Sequence, residues 1–126
     1  MDITPRHEEG MIRIESYGAS GFVVQGVTYD SSIMIRGNHV MVYPDDAWER
    51  FSDVATYAPF LMPPVSEMIL VGTGAQHQLL APHIHRTLKA QHGIILDLMN
   101  TGAACRTFNV LRSEGRNVDA LLLRVR

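Results

Sequence analysis

The stretch Asn100-Thr101-Gly102-Ala103-Ala104-Cys105-Arg106-Thr107-Phe108-Asn109-Val110-Leu111-Arg112-Ser113-Glu114-Gly115-Arg116 reads as one capped helix, and its place between two apolar runs decides the fold. Asn100 or Thr101 can accept hydrogen bonds from the first free amides, and Gly115 can take the left-handed conformation that ends a helix. Ala104, Phe108 and Leu111 recur on one face, as an amphipathic helix requires. Cys105, Arg106 and Asn109 are left over, and packing alone does not call for them.

Apolar residues fill the runs on both sides of this helix, at 94–98 before it and 118–125 after it. Further upstream, residues 68–71 are continuously apolar and residues 82–91 read as a helix. Strand, helix, strand, helix, strand implies right-handed crossovers onto a largely parallel or mixed central sheet. The first third has another rhythm. In residues 11–16, Ile12 and Ile14 alternate with Arg13 and Glu15, the pattern of a half-buried strand. Short β-prone runs follow at 22–25, 27–29, 33–36 and 40–43, separated by Gly26, Asp30-Ser31-Ser32 and Gly37-Asn38, so an antiparallel meander is expected that packs on or extends the same sheet. Pro44-Asp45-Asp46 closes it. Trp48, Phe51 and Val54 then suggest a helical or irregular cover before Pro59 and Pro63-Pro64 interrupt the chain. The expected class is α/β, with residues 1–10 a polar N-terminal segment and residues 11–126 one domain.

With 126 residues, the chain is long enough to bury one core without a metal or disulfide staple. A single cysteine, Cys105, rules out an internal disulfide framework and a multi-cysteine zinc site, which fits a reducing compartment with the cytoplasm as the default. The net charge is -2 and the basic residues are scattered, so binding to a nucleic-acid backbone has little electrostatic support. The N-terminal segment lacks the apolar core of a signal peptide, and no apolar run approaches the ~20 residues needed to span a bilayer. Peripheral contact with a membrane complex stays open.

Val71-Gly72-Thr73-Gly74 follows a buried strand, where two glycines let backbone amides approach an anion or substrate. The segment lacks the third glycine of a dinucleotide fingerprint and the Gly-Lys-Ser/Thr ending of a phosphate loop, so no nucleotide cofactor is implied and a structural turn is the simpler account. Cys105 sits near a helix start beside Arg106, two influences that favour a reactive thiolate, yet Ala103 and Ala104 point to close packing and a buried, inert thiol. His83 and His85 diverge by about 200° on a helix and cannot share a metal without unusual geometry. Arg106, Arg112, Glu114 and Arg116 read as a solvated charged face. Within it Glu114 can pair with a neighbouring arginine, or Arg116 can tie the following turn to the sheet.

Residues 71–74 together with Thr101-Gly102-Ala103-Ala104-Cys105-Arg106-Thr107-Phe108-Asn109-Val110-Leu111 and Glu114-Gly115-Arg116 resemble the MTH938-like family, formerly a domain of unknown function. The resemblance extends through Gly21-Phe22, Val27-Thr28-Tyr29, the 33–35 strand, Trp48 and the 118–123 strand, in the family's order. It implies a compact three-layer α/β single domain with a mixed central sheet. Relatives in that family include a mitochondrial assembly factor for respiratory complex I, so the resemblance also implies an assembly or scaffolding role. It carries over no catalytic residue, and Asn100 stands where the family often has Asp before the threonine.

Two functions are therefore expected in turn. The first is a non-enzymatic interaction protein with a protein partner, serving a respiratory or other membrane-associated complex through its helices and glycine loop. The second is a small-molecule or anion-binding protein, in the extreme an enzyme, with a cleft between the Gly72 to Gly74 loop and the Thr101 helix start and Arg106 neutralising an anion. The candidate ligand- or partner-binding residues are Gly72, Thr73, Gly74, Thr101, Arg106, Asn109 and Arg116, and Cys105 is the candidate reactive thiol. No metal or cofactor is implied.

Overall fold

The computed structural model describes residues 12–43 and 48–126. The polar segment at residues 1–10, the start of the first expected strand at Met11, and Pro44-Asp45-Asp46 lie outside the described residues. The described chain runs β1 (Ile14–Tyr17), β2 (Phe22–Val24), β3 (Val27–Tyr29), β4 (Ser32–Arg36), β5 (His39–Tyr43), two 3-10 helices (Trp48–Ser52 and Val54–Phe60), β6 (Met68–Gly72), α1 (Pro82–His92), β7 (Ile95–Met99), α2 (Thr101–Ser113) and β8 (Val118–Leu122).

The central sheet has the order β5-β4-β8-β6-β7. Strands β6, β7 and β8 are parallel, whereas β4 runs antiparallel to both β8 and β5. The sheet is mixed for a reason visible in the chain: the helical crossovers through α1 and α2 return each strand in the same direction, and the tight Gly37-Asn38 turn reverses it. Along each central strand the side chains alternate between two cores. Ile69, Val71, Leu121, Leu123, Met34 and Leu96 face α1 and the 3-10 helices, packing with Ile84, Leu88, Phe51, Tyr57 and Phe60. Leu70, Ala120, Leu122, Val118, Ile33 and Ile35 face the other way, against Ala104, Cys105 and Phe108 of α2 and Ile14, Phe22 and Val24 of the first two strands. A sheet apolar on both faces needs a layer on each side, and these two clusters are the seams of a three-layer sandwich.

The expected meander divides in two. Strands β1, β2 and β3 form a separate antiparallel sheet, and only the β4–β5 hairpin extends the central one. Burial accounts for the split. Ser32, Ile33, Met34 and Ile35 are all buried, with side chains on both faces, which a strand achieves only inside a sheet covered on both sides; Val27 and Thr28 of β3 are exposed. The Asp30-Ser31 break lets the chain leave one sheet for the other. The cover after β5 is built of 3-10 turns instead of an α-helix. Asp53 caps the second of them through Ala55 N, Pro59 lies inside it, and Trp48 packs on Phe51 with ring centroids 4.9 Å apart.

Candidate functional site

At the carboxyl ends of β6, β7 and β8 the chain ties itself together around Thr101. This side chain is fully buried, and its hydroxyl donates to the Leu123 carbonyl at 2.6 Å while accepting from the Gly74 amide at 2.9 Å. The Thr101 amide in turn donates to the Gly74 carbonyl, the Thr73 amide to the Met99 carbonyl, and the Leu123 amide to the Gly72 carbonyl. Both glycines have a geometric cause. A Cβ on Gly72 would lie 2.9 Å from Thr101 Oγ1 and 3.1 Å from Thr101 Cα, and Gly74 has φ +93°. Asn100 caps α2 beside this knot, its carboxamide oxygen accepting from the Ala103 amide at 2.9 Å.

The cleft expected between the glycine loop and the Thr101 helix start is closed by these bonds. The Thr73 and Gly74 amides, which an anion cradle would need, already have partners inside the protein. Thr73 faces another space, an open cleft of about 510 Å³ lined also by Trp48, Gln76, Gln78, Arg124 and Arg126. Neither Thr101 nor Arg106 lines it.

The remaining α2 candidates meet β1. Asn109 presents its carboxamide to the outer edge of that strand, accepting from the Ile14 amide and donating to the Ile14 carbonyl, both at 2.9 Å. It thereby supplies one residue's worth of strand pairing from a side chain. Cys105 lies beneath, only 3% exposed, and burial pushes its thiol from the ordinary 9.0 up to about 12, outweighing the opposing pull of Arg106. A thiol so placed stays protonated at neutral pH, which makes it a packing residue. Arg106 points outward. With Arg13, Glu15, Tyr17 and Asn109 it lines a groove of about 390 Å³ between β1 and α2, which adjoins a hollow of about 320 Å³ formed by Arg13, Arg106, Asn109, Val110 and Ser113.

Arg116 lies apart from both places, 3.5 Å from Glu67 in an exposed ion pair that ties the end of α2 to the start of β6; such pairs contribute ~0 to 1 kcal/mol. The solvated charged face expected for Arg112 is corrected by the structure. Its side chain is 13% exposed, stacks over Phe108 with Cζ 4.7 Å from the ring centroid, and lies 3.9 Å from the buried Asp119 carboxylate. It also donates to the Val118 carbonyl at 2.9 Å and the Gly37 carbonyl at 2.7 Å, while Asp119 accepts from the Gly37 amide at 3.0 Å. Arg112 and Asp119 therefore lock α2, β8 and the β4–β5 turn together. Burial lowers the Arg112 pKa, and the neighbouring Asp119 opposes that shift.

Two groove residues, Arg13 and Tyr17, escaped the sequence reading. One signal was present: Gly102 sits in the first turn of α2, where the missing Cβ leaves room for another side chain to approach the helix closely. That side chain is Tyr17, whose Oη would lie 2.5 Å from a Cβ at Gly102. Among the described residues, no group of three or more His, Cys, Asp or Glu side chains comes together to hold a metal ion, and no helix is long and apolar enough to cross a membrane.

The profile of a family described as a protein of unknown function (DUF498/DUF598) matches residues 14–123, nearly all of the described fold. The chain belongs to this Mth938-like family. A solution structure of a Bordetella pertussis protein, described as a Mth938-like domain, is 27% identical with a TM-score of 0.71, covering 98% of this chain and 92% of that one. The crystal structure of a Bartonella henselae protein, described as an outer membrane protein, is 32% identical with a TM-score of 0.73, covering 93% of this chain and 98% of that one. A third relative is the bovine NADH dehydrogenase [ubiquinone] 1 alpha subcomplex assembly factor 3, 31% identical over 110 residues and 87% of this chain. The chain spans 59% of that relative's length.

Proposed function

We propose that this Mth938-like chain is a non-enzymatic interaction protein that assists the assembly of a respiratory or other membrane-associated complex. The relatives named as assembly factors for NADH dehydrogenase support that role. The observation that carries it is the division of labour on α2. Thr101, Asn109 and Arg112 hold the fold together, and Cys105 is buried, so these α2 side chains are committed to structure. The outward face of α2 keeps Arg106 and Val110 exposed beside β1, on the rigid support that a contact surface needs. The lone buried thiol fits a reducing compartment such as the cytoplasm, with contact to the membrane made through the partner complex.

Deleting the gene from its source cell should lower NADH-dependent quinone reduction by isolated membranes several-fold and leave subassemblies of the complex on native gels, with both effects reversed by the intact chain. Membranes of normal activity that carry only fully assembled complexes would overturn the proposal.

The second reading, a small-molecule site, has one observation in its favour: the open cleft beside Thr73, whose polar lining includes Gln76, Gln78 and two arginines.

A further inference from the structure

We infer that the groove between β1 and α2 is a docking site for an acidic segment of the partner protein, one that carries carboxylates beside apolar side chains. The inference rests on the interaction role proposed above and names the chemistry of the partner. Arg13 and Arg106 stand on opposite walls of the groove, one on the strand side and one on the helix, and both line its two adjoining hollows. Both are exposed, and among the described residues neither guanidinium makes an ion pair or a hydrogen bond. The arginines elsewhere on this side of the fold are engaged, Arg112 with Asp119 and Arg116 with Glu67. The carboxylate in the groove forms no ion pair with either arginine: Glu15 turns an oxygen toward the β2–β3 turn, accepting from the Gly26 amide at 3.3 Å, so the groove keeps a net positive charge of one.

Apolar surface flanks the two cations. Val110 is 54% exposed and Tyr17 is 43% exposed. Arg106, Val110 and Ser113 follow one another at four and three residues along α2, so cation and apolar contact share one helix face. Matching carboxylates would gain bidentate bonds from the guanidinium forks, and the neighbouring aliphatic or aromatic groups would cover Val110 and Tyr17. Asn109 sets how such a segment lies. Its carboxamide already occupies both hydrogen-bonding groups of Ile14, so an incoming strand cannot pair there, and recognition must come from side chains across the groove. An anionic membrane surface is the weaker fit. Lipid recognition of that kind uses clusters of about 4–8 basic residues, whereas this groove offers two arginines with Glu15 nearby in a chain of net charge -2.

The test uses the purified full chain and a fluorescein-labelled peptide of repeating Glu-Leu-Glu-Glu units, followed by anisotropy and by amide chemical shifts. The acidic peptide should bind, its Lys-Leu-Lys-Lys counterpart should not, and the largest shifts should fall on β1 and α2. Arg13→Glu with Arg106→Glu should weaken binding about tenfold or more, as should the milder Arg13→Gln with Arg106→Gln, with the melting temperature unchanged. Arg86→Glu with Lys89→Glu on α1 should leave binding as it was. Absence of binding, equal binding of both peptides, shifts centred on the Thr73 cleft, or an arginine-dependent preference for phosphatidylglycerol vesicles over the peptide would each overturn the inference. The peptide experiment involves no membrane complex, so its failure is distinct from failure of the assembly role, which the gene deletion reads by itself.

Discussion

Thr101→Val should lower the stability of the chain by about 2–4 kcal/mol, read from the midpoint of urea unfolding followed by circular dichroism. Valine keeps the volume and removes the hydroxyl. The Gly74 amide and the Leu123 carbonyl, both buried at this junction, then lose their partner. Thr101→Ser supplies the comparison, because it retains the hydroxyl and loses only a buried methyl, for about 1 kcal/mol. The order of the two variants is the decisive outcome. If serine is as damaging as valine, the residue serves by filling space, and the account of the Gly72 to Gly74 loop as a part tied down by Thr101 is wrong.

Arg112→Met should be at least as severe, with a loss of about 3–5 kcal/mol in the same measurement. The substitution leaves the Asp119 carboxylate buried without its cation and releases the Val118 and Gly37 carbonyls that the guanidinium holds. Methionine retains much of the aliphatic packing on Phe108, so most of the loss is electrostatic and hydrogen-bonding in origin. Adding Asp119→Asn to the variant should recover about 1 kcal/mol or more, since the orphaned charge is then gone. A double variant less stable than Arg112→Met alone would show that Asp119 acts chiefly through the Gly37 amide and not through the arginine.

The parts of the fold that were legible are those whose information is local. The stripe of Ala104, Phe108 and Leu111, the cap at Asn100, the left-handed Gly115 that ends the helix, and the apolar runs around them give α2 and its flanking strands directly, because a helix writes its period within a dozen residues. The purposes of Asn109 and Arg112 were not legible. Asn109 bonds to Ile14, which lies 95 residues earlier, and Arg112 reaches Gly37 across 75 residues, so neither contact leaves a pattern in its own neighbourhood. The boundary between the two sheets was hidden for the same reason. Residues 22–43 carry one uniform series of turns and β-prone runs, and only the docking of β4 against β8 decides which strands change sheet. Thr73 shows a middle case: its place after a buried strand was readable, but its facing the Trp48 side goes with bonds to the Met99 and Gln76 carbonyls, the first of them on another strand.

If a protein partner sits on the outward face of α2 beside β1, photo-crosslinking in the living source cell should capture it there. A benzoyl-phenylalanine placed at Val110, which is 54% exposed on that face, is compared with one at Leu79, which is 78% exposed in the chain before α1. Val110 should give an adduct, identified by mass spectrometry as a subunit of a respiratory or other membrane-associated complex, and Leu79 should give none. An adduct from Leu79 alone, or no adduct at Val110 in cells that are actively building the complex, would contradict that placement.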